Sequence, residues 1–572
     1  MEVFKLALFL ISSFGWWEYL RQRCDIDVLF LPSLTVALQT VILIAAGILN
    51  LLSEVSICLY LGGFLLLFYS VAKAGGLKAA AKRLACYHQA GFYFLFISLA
   101  VLFCYLQGRV FGHDDNFSHW GIVVKLMLRA DRFPNFNDPF IRYQSYPLGS
   151  STFIYYFARF VGKEKEHIWM LAQDYLMMTC ILPMFLFGKK TWPGTLIIAA
   201  AFTNLAFSYN IYATDLLVDS LISLAAAVPF VFLFRNSEKD EIWITAVYLT
   251  WLVQIKNSCL FFAVILTAWS VIRNRKKLKN GKVLFALALP YLSVFLWKKH
   301  YQSVFPAAWE TKHVMSLSRF WGGFSEKTGE EIGQICREVM KFSLTYPKTI
   351  HALLYLLCLG FLVLLAGKGL RQWLKYSLAA ISVYFAYQTG LLGMYLFSMP
   401  TWEATHIAGI GRYTMTVLLF IHYFTTVGFL LLLSEEWGKP LLYRIAAICA
   451  AVLMLCGVVC RNLFFNCYFP VATRQWYEKA KEEYCIPEGE SYCNIVVGEH
   501  TWYTWYIQLY LFLPADADTV FIDENFDAGR LDQITQKYVF ITDQAAENET
   551  VAAWVEANYP EQAGRKVIVR AD

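Results

Sequence analysis

Charge is what this chain has least of. Asp, Glu, Lys and Arg make up 16% of its 572 residues, against about a quarter in soluble globular proteins. That scarcity excludes an ordinary water-soluble domain of this length. Other absences narrow the class further. No Cys-x-x-Cys pair is present, which argues against a zinc ribbon or finger. Most of the 14 cysteines fall inside apolar runs, where Cys behaves as a small hydrophobe. Cys485 and Cys493 are close enough in sequence to pair after export. The tail has no Gly-x-Gly-x-x-Gly phosphate loop, so a nucleotide site is not expected there. Solenoid repeats and low-complexity tracts are also absent. The net charge of +6 suits anionic lipid headgroups and requires no nucleic acid.

What is present is apolar. Hydrophobic residues make up 58% of the chain and aromatic residues 17%. Apolar runs recur up to about residue 464, most of them near the roughly 20 residues that a helix needs to cross a bilayer. The candidates are 3–20, 28–51, 55–73, 90–108, 167–187, 193–209, 214–234, 241–255, 258–272, 283–298, 350–366, 375–397, 413–433 and 445–464. The first has no basic leader or small-residue cleavage site, so it reads as an anchor. The expectation is an all-α polytopic membrane protein, with about fourteen transmembrane helices over residues 1–465. After residue 466 the pattern changes. Strand-like runs at Asn494–Gly498, Asp518–Asp523, Lys537–Thr542 and Lys566–Ala571 alternate with helical stretches at Thr504–Leu513 and Asn548–Tyr559. This predicts a small α/β domain, 466–572, with a largely parallel sheet.

Basic loops set the expected orientation. Lys73 to Arg83, Lys189-Lys190, Arg273 to Lys282 and Lys368 to Lys375 are the strongest clusters, and the positive-inside rule puts them in the cytoplasm. All four fall inside if the segment 146–162 lies on the outer surface and does not span. Its short length, Arg159, and the run Tyr155, Tyr156, Phe157 favour that reading. Residues 109–166, Tyr209–Asp215, Gln254–Asn257, 299–349, 398–412, the tail and the N-terminus are then exterior.

One polar stretch stands out among the apolar runs: Phe111-Gly-His-Asp-Asp-Asn-Phe-Ser-His-Trp120, continuing through Asp131, Arg132 and Asp138 to Tyr146-Pro-Leu148. Ionisable groups at the edge of a membrane bundle are costly and point to function. Structurally, Asp115 or Asn116 would cap an amphipathic helix Phe117–Arg129. Chemically, Asp114 or Asp115 can act as a general base toward an acceptor hydroxyl. His113 and His119 flank the pair, and imidazole with carboxylate can bind a divalent metal, although the spacing matches no standard site. The expected topology brings further groups to the same side: Asp215 at the outer start of a span, Asp219 one turn deeper, Lys256 at the tip of a helical hairpin, and Arg412-Tyr413 at another outer helix end. Snorkelling or capping explains each singly. Together, carboxylates and cations suit a ligand with a hydroxyl to activate and a phosphate to hold.

This order of features resembles the first exterior loop of the C-type (GT-C) glycosyltransferases, such as the aminoarabinose transferase and protein O-mannosyltransferase relatives. The matching residues are Asp114-Asp115, Tyr146-Pro147-Leu148, Tyr155-Tyr156, Thr214-Asp215, Lys256 and Arg412-Tyr413. Asp115 stands where the family has Glu, one Pro is missing, three extra spans precede the usual first one, and the tail has no counterpart. The resemblance implies a catalytic exterior loop, 109–166, with juxtamembrane helices. It implies transfer of a sugar from a polyprenyl-phosphate-linked donor to an acceptor glycan, lipid or protein at the outer face of a bacterial plasma membrane. Asp114, Asp115 and Asp215 are then catalytic. Lys256, Arg412 and Tyr413 bind the donor phosphate, and His113, His119 and Tyr146 bind acceptor or sugar. No cofactor is fixed by the resemblance, and a divalent metal is left open. The alternatives are a transporter or lipid flippase, which should show broken midplane helices and paired halves, and a polysaccharide polymerase or ligase using Lys312, His313 and Arg319. The topology is testable with Lys163→Cys: a membrane-impermeant maleimide should label it on intact cells, and labelling only after permeabilisation overturns the exterior assignment.

Overall fold

The computed structural model describes residues 1–188, 194–201, 212–235, 241–306, 322–366, 369–436, 448, 452, 471–497, 501–513, 517–523 and 526–570. Lys189-Lys190, much of the apolar runs 193–209 and 445–464, and Lys312, His313 and Arg319 lie outside the described residues. The chain forms two compact units: one of Met1–Val110 with Val123–Phe465, the other of Phe111–Ile122 with Asn466–Asp572.

The first unit is helical. Its helices are α1 (Glu2–Arg23), α2 (Leu31–Ile48), α3 (Leu52–Lys73), α4 (Leu77–Arg83), α5 (Ala90–Leu106), α6 (Gly121–Ala130, beginning at the boundary), α7 (Gly149–Val161) and α8 (Glu166–Ile181). They continue with α9 (Asp219–Arg235), α10 (Glu241–Val253), α11 (Leu260–Arg273), α12 (Gly281–Val304), α13 (Gly329–Thr345), α14 (Pro347–Ala366), α15 (Leu370–Phe397), α16 (Thr401–Thr405) and α17 (Ile410–Glu436). Start signals are local. Asp27 accepts the Leu29 N–H at 3.1 Å ahead of α2. Thr328 and Glu331 form a reciprocal capping box at the start of α13.

Apolar side chains face outward as well as inward. Leu65 and Phe68 on α3 are 71% and 76% exposed, and Ile97 and Val101 on α5 are also exposed. Soluble proteins do not leave such stripes in water, so this is a membrane protein. Among the described residues seven helices are long and apolar enough to cross a bilayer, or eight if the bent pair Ala81–Tyr87 and Ala90–Leu106 is one span. The expected number was about fourteen. The runs at 214–234, 241–255 and 258–272 do form helices, but only of 10–17 residues. Polar groups that are tied into hydrogen bonds, Asp219 and Gln254 to Asn257, cut them short.

Helices α1 and α3 pack backbone to backbone. Ser12 Oγ donates to Tyr60 O at 2.6 Å and Trp16 Nε1 to Leu59 O at 3.0 Å. A Cβ on Gly15 would sit 1.8 Å from Gly63 O, so only glycine fits this crossing. The pairing is parallel, which puts Arg21, Arg23 and Lys73 at one end of the unit. At the other end Glu2 pairs with Lys165 at 2.6 Å and lies 3.2 Å from His167. The N-terminus and the turn before α8 thus share an end, opposite the Lys73 cluster.

Helix α7 differs from its expected surface position. Tyr155, Tyr156 and Phe157 are fully buried: Tyr156 and Phe157 meet Phe9 of α1, Phe157 also meets Tyr175 of α8, and Tyr155 OH donates to Asp131 at 2.8 Å. Arg159 does not mark a wet face. It pairs with Asp131, and its other arm donates to Ser53 at 2.9 Å. The helix has 13 residues, about 20 Å long, too short to span.

The second unit carries a four-stranded sheet of β1 (Tyr492–Val497), β2 (Ala517–Ile522), β3 (Tyr538–Ile541) and β4 (Val567–Val569) in the order β2-β1-β3-β4. β1 runs parallel to β2 and β3, and β4 is antiparallel. All four expected strands are found within a few residues. Alternation sorts the faces. Cys493, Ile495, Val539 and Ile541 pack on one side with Val551 and Val555 of the helix Glu549–Asn558. Tyr492 and Phe540 face the other side with Tyr477 and Phe512, from α18 (Val471–Glu483) and α19 (Thr501–Phe512). Cys485 and Cys493 are not paired. Cys485 is exposed, whereas Cys493 is buried in β1, where burial pushes its thiol up to about 12.

The close α1–α3 contact makes a local prediction. Gly63→Ala puts a Cβ 2.2 Å from Ser12 Oγ and should cost about 1–3 kcal/mol in detergent thermal unfolding. Gly62→Ala, whose Cβ meets nothing nearer than 3.7 Å, should be neutral or mildly stabilising.

Candidate functional site

In the first unit the charged site is built at three helix ends. Asp219 opens α9. Lys256 lies in the turn between α10 and α11, in extended backbone just before a single 3-10 turn. Arg412 and Tyr413 lie in the first turn of α17. Lys256 Nζ donates to Asp219 Oδ1 at 2.9 Å, and Arg412 Nε lies 3.5 Å from Asp219 Oδ2. Both cations lie over the Tyr413 ring, at 5.7 and 5.6 Å from its centroid. The three residues expected to bind a phosphate therefore come together, around a carboxylate that was noted in the sequence but not chosen. Its signal was an acidic residue one turn into an apolar run.

The surroundings hold this geometry in place. Ser223 Oγ of α9 donates to Thr416 O of α17 at 2.6 Å. Gln388 of α15 donates to Thr414 Oγ1 at 3.1 Å and accepts from Ser343 Oγ of α13 at 3.1 Å. On the other side, the Tyr146-Pro-Leu segment docks on the Lys256 turn. Ser145 O accepts from Asn257 Nδ2 at 3.5 Å and from Trp297 Nε1 at 3.2 Å. Gly149 N–H donates to Gln254 O at 2.6 Å, and a Cβ there would fall 2.4 Å from that oxygen. Tyr146 itself stacks obliquely on Tyr143 at 5.2 Å.

Asp215 is buried and its Oδ1 accepts the Leu217 N–H at 3.0 Å. Gln173 of α8 reaches the same turn, donating to Leu217 O at 3.1 Å. Its neighbour Asp174 is 2% exposed, and Oδ2 has no hydrogen-bond partner among the described residues. The sequence reading missed Asp174, although a carboxylate within an apolar run was the available signal.

The acidic pair belongs to the second unit. Residues 111–122 are held on the tail domain by Arg474, which is itself buried. Its guanidinium lies 5.9 Å from the ring centroids of both Phe117 and Tyr510 and donates to Phe111 O at 3.5 Å. Tyr510 also meets Phe111 and Phe117 edge-on. The expected loop domain 109–166 is thus divided, with its acidic end on the α/β unit.

The expected side-chain cap at Asp115 or Asn116 is not formed. The helix starts at Asp114 and passes through a π turn, Asn116–Trp120. Asp115 N–H instead points to His113 Nδ1 at 3.2 Å, and Asp114 Oδ1 is 2.8 Å from the same nitrogen. One ligand atom each from His113, Asp114 and Asp115 lie within 4.8 Å of one another. One imidazole and two carboxylates form a donor set that a divalent cation accepts. His119 lies outside this group, buried against Trp120 at 4.5 Å.

Asp219 pairs with both cations, so Asp219→Asn should lower stability by about 3 kcal/mol, read by thermal unfolding in detergent. An unchanged midpoint would show that the cluster is not what holds α9, α11 and α17 together. Comparison of the chain with known family models, with curated proteins and with solved structures finds no match.

Proposed function

We propose that this protein transfers a sugar from a polyprenyl-phosphate-linked donor to an acceptor hydroxyl at the outer face of a multi-pass plasma membrane. The observation that carries this reading is the convergence of Lys256 and Arg412 on Asp219 beside Tyr413. Two cations brought to one point beside an aromatic ring suit a phosphate that gains charge as it leaves. Asp219 keeps both cations aimed. In this reading the acceptor oxygen bonds to the anomeric carbon, and the bond from that carbon to the phosphate oxygen breaks. The electron pair leaves on the phosphate, and the acceptor proton goes to the Asp114 carboxylate. His113 orients Asp114 through their 2.8 Å contact. Asp115, Asp215, His119 and Tyr146 position sugar or acceptor. The base and the cations belong to different compact units, and each is assigned from its own surroundings.

One observation favours a second reading. A buried carboxylate within a candidate span, Asp174 in Glu166–Phe187, is a feature of ion- or proton-coupled transporters. Two variants separate the readings. Asp114→Asn should lower sugar transfer in membrane vesicles about a hundredfold or more, with expression and unfolding midpoint unchanged, while Asp174→Asn leaves transfer intact. Full transfer activity in Asp114→Asn removes the base assignment. Loss of substrate uptake in Asp174→Asn alone would establish the transporter.

A further inference from the structure

The first unit holds a groove of about 600 Å³ far from the charged cluster in sequence and function. It is lined by Leu10, Ile11 and Phe14 of α1, Leu67 of α3 and Phe96 of α5. Leu10 to Glu18 runs along about 12 Å of helix, room for much of one acyl chain. Besides the charged Glu18 and Arg83, Trp17 and Ser70 break the apolar lining. Trp17 and Ser70 both line the groove and are 1% and 5% exposed. Trp17 Nε1 and Ser70 Oγ have no hydrogen-bond partner among the described residues. An indole N–H and a hydroxyl left in this state in an apolar wall cost free energy. A ligand acceptor at that level would satisfy them.

The rim supplies the charge. Arg83 lines the groove, and Lys73, Lys78 and Lys82 lie nearby in sequence, all four exposed. None of the four forms an ion pair with a described residue. The one carboxylate in the lining, Glu18, is already engaged: Arg21 holds it at 2.8 Å and Tyr87 OH donates to it at 2.7 Å. The stretch Ala81–Tyr87, which carries Lys82 and Arg83, meets Ala90–Leu106 at a bend of 84°.

We propose that the groove is a binding site for an anionic glycerophospholipid of the leaflet at the Lys73–Arg83 end. The acyl chain lies along Leu10, Phe14 and Leu67. The ester carbonyls accept from Trp17 Nε1 and Ser70 Oγ, and the acidic headgroup faces Arg83 and Lys82. The site is independent of sugar transfer and rests only on the membrane embedding of the unit.

Native mass spectrometry of the full chain, released from detergent doped with dioleoyl-phosphatidylglycerol or dioleoyl-phosphatidylcholine, tests it. The wild type should retain phosphatidylglycerol and little phosphatidylcholine. Lys82→Ala and Arg83→Ala, on exposed positions, should each lower that retention roughly fivefold. Leu67→Trp, which fills the groove with the basic rim intact, should lower it as well. Equal retention of the two lipids by the wild type, retention of neither, or unchanged retention in all three variants overturns the proposal.

Discussion

A charge within a membrane bundle has no water to lean on, and the first unit is organised around that constraint. Many of its ionisable groups are paired, some across helices and some within one turn. Asp219 draws Lys256 and Arg412 to one point. Asp131 takes Arg159 from the last turn of a buried helix. Asp138 is bidentate to Arg132 at 2.7 and 3.2 Å, and Glu18 binds Arg21 and Tyr87. Removing one member of such a pair leaves the other stranded in a low-dielectric medium. Cross-helix pairs therefore help to specify which helix ends meet, alongside close packing such as the Gly15–Gly63 crossing.

The same constraint separates structural charges from functional ones. The Arg132–Asp138 pair closes a turn on itself, and Asp138 also accepts the Asn135 N–H at 2.8 Å. The Asp219 cluster brings Lys256 and Arg412 to one point, where three helix ends and the Tyr146–Gly149 segment come together. The second unit solves a different problem. The 111–122 segment is polar and short, and it is kept in shape by aromatic rings and one buried arginine. The acids His113 touches are thereby presented from a soluble-type α/β scaffold, with a sheet core of its own.

How far the sequence could be read depended on the range of the cause. The tail strands were legible because period-two alternation in Asn494–Gly498 and Lys537–Thr542 is a local signal, and the helix at Asn548 has its cap in the sequence. The convergence of Lys256, Arg412 and Tyr413 was legible through sidedness, since each sits at a helix end on one side of the expected topology. Asp219 was visible as a residue, but its part as the shared counter-ion was not. The burial of Tyr155 to Phe157 was not legible either. Those residues read as interfacial because aromatics suit an interface, and only the packing of α1 against them shows otherwise. The assignment of 111–122 to the tail unit was equally hidden, because Arg474 is more than 350 residues away from Phe111.

Composition and periodicity alone determined that this chain lives in a bilayer, that most of its length is helix, and that its last hundred residues form a largely parallel sheet with helices. These follow from averages over short windows, where hydrogen-bond satisfaction and burial leave one answer. Tertiary structure decided which helices are long enough to cross, which charges are counter-ions and which are left for chemistry, and which unit carries the acidic pair. Those outcomes turn on single contacts between residues far apart in sequence, and no local window contains them.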